Sequence, residues 1–215
     1  MDFFHFDLDT LLFRLIAFVL AFSVHEWAHA MAAWRLGDPT AKEQGRLTLN
    51  PLAHVDPFGL LMILFGPFGW AKPVPFNPLY FRGNRRLGIV LVAAAGPLSN
   101  LVLAFVFGWL AVHADRMAFL HAGPAWLAEL VVNVFVYSLL INAALVVFNL
   151  LPIAPLDGAK IVRFLFPYKY DRYFEPLEMY GPFLLLAIVF FPALRNVLLH
   201  PPLEGLLALI RLVVA

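Results

Sequence analysis

Four apolar stretches of this chain are each long enough to cross a lipid bilayer as an α-helix. They cover residues 11–34, 87–112, 125–151 and 177–199. Hydrophobic residues make up 62% of the chain and charged residues only 13%, whereas about a quarter of a soluble domain is charged. Because lipid offers the backbone no hydrogen-bond partners, such stretches cross a membrane as helices. We therefore predict an all-α membrane protein, a polytopic helical bundle of four or more spanning helices.

Length, charge and composition restrict the chain further. Its 215 residues suit one compact bundle, so we predict a single membrane-embedded domain over residues 1–215. The net charge of +1 does not suggest a nucleic-acid partner. The chain contains no cysteine, which excludes disulfides and thiolate metal ligands. A zinc ion would have to use His, Asp or Glu ligands.

Several shorter segments are less regular. Residues 58–71 are apolar but short and interrupted by Gly and Pro, which favours a re-entrant or interfacial segment. Residues 46–49 and 74–76 could form short β-strands next to it. Residues 203–214 are too short to span comfortably and are expected at the membrane interface.

Basic residues predict the orientation of the bundle. They concentrate in residues 35–86 and 160–176, whereas residues 113–124 contain only Arg116 beside Asp115. Alternating spans place the first two segments on one side of the membrane, and the positive-inside rule makes that side cytoplasmic. The predicted re-entrant or short β segment then lies on the cytoplasmic side.

The first apolar stretch contains the motif His25-Glu26-Trp27-Ala28-His29. Helix positions i and i+4 are about 40° apart around the axis, so both imidazoles face the same way and can bind one zinc ion. Glu26 can then reach a metal-bound water as general base. A charged residue near the centre of a spanning helix costs roughly 2.5–3.5 kcal/mol. Such a cluster inside a membrane span therefore indicates function more strongly than the same motif in a soluble helix.

A catalytic zinc ion usually has three protein ligands, and the motif supplies two. The extended motif with a third His does not occur, because Arg35 stands at that position. His54 is one possible ligand. Asp157, which follows the third span, is the better candidate, but an Asp beside Gly158 is also typical of a helix N-cap. The residues alone leave both interpretations of Asp157 open.

Two separated motifs resemble the site-2 protease family of intramembrane metalloproteases. The first is the HExxH motif, and the second is the stretch Asn149-Leu150-Leu151-Pro152-Ile153-Ala154-Pro155-Leu156-Asp157-Gly158. Further support comes from stretches that begin at Gly37, Gly45, Gly69 and Gly96. The similarity is to the compact branch without PDZ or CBS domains, and it covers roughly residues 15–185. Ala154 departs from the pattern, because many relatives have a second proline there.

The resemblance implies roles for individual residues. His25, His29 and Asp157 would bind zinc, and Glu26 would be the catalytic acid/base. Asn149 and Pro155 would hold substrate near the zinc, where an amide donor can stabilise a developing oxyanion. Two further polar residues within the spans, Asn100 and Asn142, could orient ligands or simply join helices by hydrogen bonds. We favour helix joining for both.

The implied function is hydrolysis of peptide bonds within or near transmembrane segments. The partners would be a transmembrane-helix substrate and the lipid bilayer, in a prokaryotic cell membrane. The histidines lie roughly 7–14 Å from the cytoplasmic end of the first span at 1.5 Å per residue, so the site would open to the cytoplasm. The edge of the short strands could bind unwound substrate by strand addition, although two prolines disfavour long pairing.

Three other functions compete with proteolysis. A membrane di-iron enzyme would need about eight His in several clusters, and this chain has seven His and one such cluster. A transporter or channel would also have broken helices and polar residues at the midplane, but the sequence shows no repeat. An inactive scaffold would not need an intact set of ligands.

Overall fold

The computed structural model of the protein describes residues 10–59 and 72–215. Regular structure in these two ranges is helical. Short 3-10 turns occupy Pro51–Ala53, Pro78–Tyr80, Ala114–Arg116 and Tyr168–Tyr170. The α-helices that lie within the ranges are α1 (Leu11–Arg35), α2 (Thr40–Glu43), α3 (Arg85–Val112), α4 (Ala118–His121), α5 (Ala125–Asn149), α6 (Asp157–Leu165), α7 (Asp171–Phe190), α8 (Pro192–Leu198) and α9 (His200–Val214).

Four helical units are long and apolar enough to cross a membrane: α1, α3, α5, and Tyr168–Phe190, which includes α7. Within residues 10–59 and 72–215, this confirms a helical architecture with four candidate spans. The fourth unit starts and ends earlier than the predicted residues 177–199. It ends earlier because Pro192 begins the separate helix α8. Helices α8 and α9 form a pair bent by 41°, which would make a fifth span if the pair crosses as one unit.

Helices α1, α3 and α5 pack against one another and form the core of the bundle. Small residues occupy the contacts, and they allow the helix backbones to approach closely, as is typical of membrane helices. Ala17 and Ala21 of α1 are fully buried against Ile141 of α5. Ala104 of α3 and Ala143 of α5 are buried against α9. Helix α1 therefore packs against two long apolar helices, α3 and α5.

The C-terminal end of α1 is fixed by a tight turn. Gly37 has a φ of 109°, which favours glycine, and its N–H donates to the Trp34 carbonyl at 3.0 Å. The buried Asp38 follows. Its carboxylate accepts hydrogen bonds from the Thr40 N–H at 3.0 Å and from the Asn77 N–H at 2.6 Å. The segment around Asn77 is thereby held against the end of α1.

Arg86, at the start of α3, forms hydrogen bonds and an ion pair with the segments that follow α5. Its guanidinium donates to the carbonyls of Arg163 and Phe166 and to both carboxylate oxygens of Asp171. It also lies over the ring of Tyr168, 4.2 Å from the ring centroid. The two basic segments of the chain therefore meet at the same end of the bundle.

The predicted β-strands do not form. Residues 46–49 and 74–76 are irregular, and no strand occurs in the described part of the chain. The prolines at 73 and 75 have no N–H to donate. The Val74 N–H between them donates to the Glu26 carboxylate instead of to a neighbouring strand. Of the predicted re-entrant segment at residues 58–71, residues 60–71 lie outside the described residues.

Candidate active site

Helix α1 presents His25, Glu26 and His29 in the interior of the bundle. All three side chains are buried, and His25 is only 3% exposed. The i and i+4 spacing places the two Nε2 atoms 3.0 Å apart. Helix α3 can pass this close because it has Gly96 at the contact, where a β-carbon would lie 2.6 Å from the His25 Nε2 atom.

Asp157 reaches the same point from a distant part of the sequence. It is the first residue of α6, one position after the N-cap residue Leu156. Asp157 Oδ2 instead lies 3.3 Å from His25 Nε2 and 3.2 Å from His29 Nε2. The second oxygen, Oδ1, lies 3.2 Å from the Lys160 Nζ. Asp157 is therefore not the N-cap residue of α6, and one of its carboxylate oxygens faces both imidazoles.

The hydrogen bonds on the far side of each imidazole determine which nitrogen is protonated. His29 Nδ1 lies 2.7 Å from the Val92 carbonyl oxygen, which can only accept. His25 Nδ1 lies 2.5 Å from Asn100 Oδ1. In a neutral imidazole each Nδ1 therefore carries the proton and each Nε2 carries a lone pair. The two lone pairs and the Asp157 carboxylate converge without a proton between them, which is the arrangement of donors that suits a divalent cation.

This donor set fits zinc. Two imidazole nitrogens and one carboxylate oxygen are a typical protein ligand set for a catalytic zinc ion, with further positions left for water or substrate. The donor atoms of His25, His29 and Asp157 all lie within 4.8 Å of one another. In the part of the chain that the structure describes, no other group of His, Asp and Glu residues has this arrangement.

His54, the alternative third ligand, lies elsewhere. It is buried, but its Nε2 lies 2.7 Å from the Thr48 carbonyl oxygen, and it does not belong to the cluster of donor atoms. The two substrate-binding candidates lie on the segment that leads to Asp157. Asn149 is the last residue of α5, and its side chain makes no hydrogen bond with another described residue. Pro155 is exposed in the following loop.

A chain of buried amides orients His25. The Asn142 Nδ2 donates to the Ser138 carbonyl at 2.8 Å, so its Oδ1 is free to accept from the Asn100 Nδ2, also at 2.8 Å. The Asn100 Nδ2 donates to the Ala21 carbonyl as well, so Asn100 Oδ1 must face His25. The expectation that Asn100 only joins helices is therefore wrong: it joins α1, α3 and α5 and also contacts a candidate ligand.

We expect Asn100→Leu to weaken zinc binding roughly 10- to 100-fold, because the His25 Nδ1–H loses its acceptor and the ring loses its fixed orientation. Competition with a chelator would measure the affinity. Asn100→Asp keeps an acceptor and should bind zinc more tightly than Asn100→Leu. Asn133→Leu makes the same change in α5 outside this network, and a loss of affinity as large as that of Asn100→Leu would contradict the assignment.

We expect Gly96→Ala to disturb both the fold and the metal site, because its β-carbon would overlap the two imidazoles. Overpacking of this kind costs about 1–3 kcal/mol. The thermal unfolding midpoint and the zinc affinity should both fall. Gly205→Ala is the matched control, since a β-carbon there meets nothing within 4 Å. Equal zinc affinity in the two variants would mean that Gly96 does not determine the spacing of the imidazoles.

The two carboxylate oxygens of Glu26 differ in their hydrogen bonds. Its Oε2 accepts the backbone N–H of Val74 at 3.0 Å, while Oε1 accepts no hydrogen bond from another described residue. Sequence reasoning missed this contact of Val74 and the ion pair of Lys160. The Val74 contact has no pattern in the sequence, since it involves a backbone group. Lys160 follows Asp157 at the i,i+3 spacing that pairs charges on a helix, so the sequence did contain a signal for that ion pair.

Comparisons with known proteins identify a family of metalloproteases. A family model described as Peptidase family M50 matches residues 116–189. The chain is 41% identical over 205 residues to YwhC of Bacillus subtilis (strain 168), an alignment that covers 94% of this chain and 91% of that protein. It is 30% identical to Rip2 of Mycolicibacterium smegmatis over 189 residues, with 85% of this chain and 68% of that protein covered. Both relatives are named zinc metalloproteases.

No solved structure matches the chain significantly. The similarity to YwhC nevertheless extends over nearly the whole of both proteins, and it includes the part of α1 with the HExxH motif as well as the segment that contains Asp157. The chain therefore belongs to peptidase family M50, the family of site-2 protease-like zinc metalloproteases.

Proposed function

We propose that this zinc metalloprotease cleaves peptide bonds within or near the transmembrane segments of other membrane proteins. The observation that carries the proposal is the depth of the donor cluster. His25 and His29 belong to the spanning helix α1 and lie roughly 9–15 Å along its axis from Arg35, at 1.5 Å per residue. A protease with its ligands at this depth is suited to substrates that lie in the bilayer.

The residues divide the chemistry between them. His25 Nε2, His29 Nε2 and Asp157 Oδ2 would hold the zinc ion. When bound, zinc supplies an electrophile and lowers the pKa of bound water toward neutrality. Glu26 would take the proton from the attacking water and return it to the leaving amine as general base and then general acid. The Oε1 of Glu26, which accepts no hydrogen bond from another described residue, is the atom suited to that transfer.

A helical substrate has to unwind before its peptide bond can be attacked, and its freed N–H and C=O groups then need partners. Asn149 has side-chain donors and an acceptor that no described residue uses, so it can bind substrate backbone. Pro155 is exposed in the same segment. We propose that these two residues hold the unwound segment, since both lie on the chain that leads into Asp157.

The location follows from charge and from the organisms of the relatives. Arg86 links the two basic segments of the chain at one end of the bundle, which supports a cytoplasmic position for that end. The C-terminal end of α1 lies at this end as well, so the active site would open to the cytoplasm. The relatives are bacterial proteins, and we propose the prokaryotic cell membrane as the site of action.

Reconstitution tests the proposed function. The purified protein and a panel of single-span bacterial membrane proteins are placed together in liposomes, with and without a zinc chelator. We expect chelator-sensitive cleavage, with cut sites that mass spectrometry locates within or next to the transmembrane segment. Cuts confined to extramembrane loops far from the span would contradict an intramembrane substrate, although the protein would still be a metalloprotease.

A further inference from the structure

The peptide bond between Pro73 and Val74 lies between a buried cation and the candidate catalytic base. Its carbonyl oxygen accepts a hydrogen bond from the Arg46 Nη2 at 3.4 Å, and the same nitrogen donates a shorter bond to the Lys72 carbonyl. Its N–H donates to the Glu26 Oε2 at 3.0 Å. Arg46 therefore donates a hydrogen bond to one side of this peptide unit, and Glu26 accepts one from the other side.

Val74 has the only backbone N–H among residues 73–75. Pro73 and Pro75 have no N–H, so no neighbouring amide can replace it. The Val74 side chain is buried in a cluster with Ala30 and Ala41, which fixes its position against α1 and α2. The Asn77 N–H bonds to Asp38 a few residues later, so the segment is anchored on both sides of the Glu26 contact.

Arg46 is an unusual residue to bury for packing alone. It is only 6% exposed, and its Nε has no hydrogen-bond partner among the residues that the structure describes. Burial lowers the pKa of the Arg46 guanidinium, and the Glu26 carboxylate opposes that shift. A guanidinium stays protonated in proteins. The buried positive charge therefore acts on the two carbonyls and, through the Pro73–Val74 peptide, on Glu26.

We propose that Arg46 is a positioning residue for Glu26, which acts by holding the Pro73–Val74 peptide so that its N–H fixes one oxygen of the Glu26 carboxylate. The inference rests on the proposed function, because it concerns the same general base. Hydrogen bonds in series polarise one another, so a carbonyl bound by a cation makes its own amide N–H a stronger donor. With Oε2 fixed, Glu26 keeps Oε1 for the proton transfer.

Two measurements on Arg46→Ala test the proposal. In the zinc-loaded protein we expect kcat to fall roughly 10- to 100-fold, with KM and the zinc content per chain unchanged, as for loss of a supporting partner of a catalytic group. Arg46→Lys keeps the charge but replaces the planar guanidinium with a compact ammonium, and it should retain an intermediate kcat. Arg35→Ala removes an exposed arginine near the end of α1 and is the matched control.

The second measurement does not depend on activity. In protein labelled with ¹⁵N-valine, the Val74 amide resonance is assigned as the one that disappears in Val74→Ala. We expect its proton resonance to move upfield in Glu26→Gln, where the acceptor loses its charge, and in Arg46→Ala, where the peptide loses its anchor. It should not move in Arg35→Ala.

The proposal is overturned if Arg46→Ala leaves kcat and the Val74 resonance unchanged. It is also overturned if zinc content falls in parallel with activity, which would show a collapsed site, or if KM alone rises, which would mean that the segment binds substrate. Failure of the proposed function is a separate outcome. In that case the wild-type protein would show no chelator-sensitive cleavage of membrane substrates, whereas the Val74 resonance would still respond to Arg46→Ala.

Discussion

Glu26→Gln should abolish proteolysis and leave the zinc site intact. General acid–base catalysis contributes roughly 10²–10⁴-fold to a rate, and we expect a loss of this size in kcat. The amide keeps the shape of the side chain and an oxygen that can accept the Val74 N–H, but it cannot take a proton from water. Metal analysis should still find one zinc ion per chain, and the unfolding midpoint should change little.

Glu43→Gln is the matched control for this change. Glu43 ends the short helix α2 and is exposed, so the same substitution there should leave cleavage at the wild-type rate. Residual activity of Glu26→Gln within a few-fold of the wild type would reject Glu26 as the general base. Loss of zinc from the variant would instead point to a role of Glu26 in holding the metal.

Asp157→Asn should remove most of the zinc affinity. Loss of an outer partner of a ligand costs roughly 10- to 100-fold in metal affinity, and loss of the ligand's charge should exceed that range. The amide would bring a neutral group to the two Nε2 lone pairs, and it would also leave the Lys160 ammonium without its carboxylate. We expect the purified variant to be nearly free of zinc and inactive, as measured by metal analysis and chelator competition.

The control for Asp157→Asn makes the same substitution at Asp56, whose carboxylate accepts the backbone N–H groups of Phe58 and Gly59 just before the helical residues 57–59. Asp56→Asn should keep full zinc content. Because the sequence also left His54 open as a ligand, His54→Gln belongs in the same series and should retain zinc. Wild-type zinc affinity in Asp157→Asn, together with zinc loss in His54→Gln, would reverse the assignment.

Helix content and the pairing of the two histidines could be predicted from the sequence because both depend on local periodicity. Long apolar stretches have to satisfy their backbone hydrogen bonds internally, so they become helices whatever they pack against. The spacing of His25 and His29 places both rings on one face of any α-helix. The start of the fourth span was predicted less well, since α7 includes polar residues such as Asp171 that the apolar pattern does not mark.

Two of the failed expectations concern groups that find partners over long sequence distances. Residues 74–76 could form a short strand according to the sequence, but the Val74 N–H bonds to Glu26, 48 residues earlier in the chain. Asn100 was assigned to helix joining because its neighbours in sequence do not show that α3 passes His25. A backbone amide has no side-chain identity, so no residue pattern could indicate its partner.

The amino-acid sequence alone predicts a polytopic helical protein, a pair of imidazoles on one helix face, and a short list of residues that could complete a zinc site. The folded chain then places Asp157, and not His54, beside the two imidazoles. The position of Asp157 depends on where α6 begins relative to α1, and Gly96 allows α3 to pass close to the two imidazoles. Local interactions determine a helix and its faces, whereas a metal site requires donors from distant segments to converge within a few ångströms, which packing alone achieves.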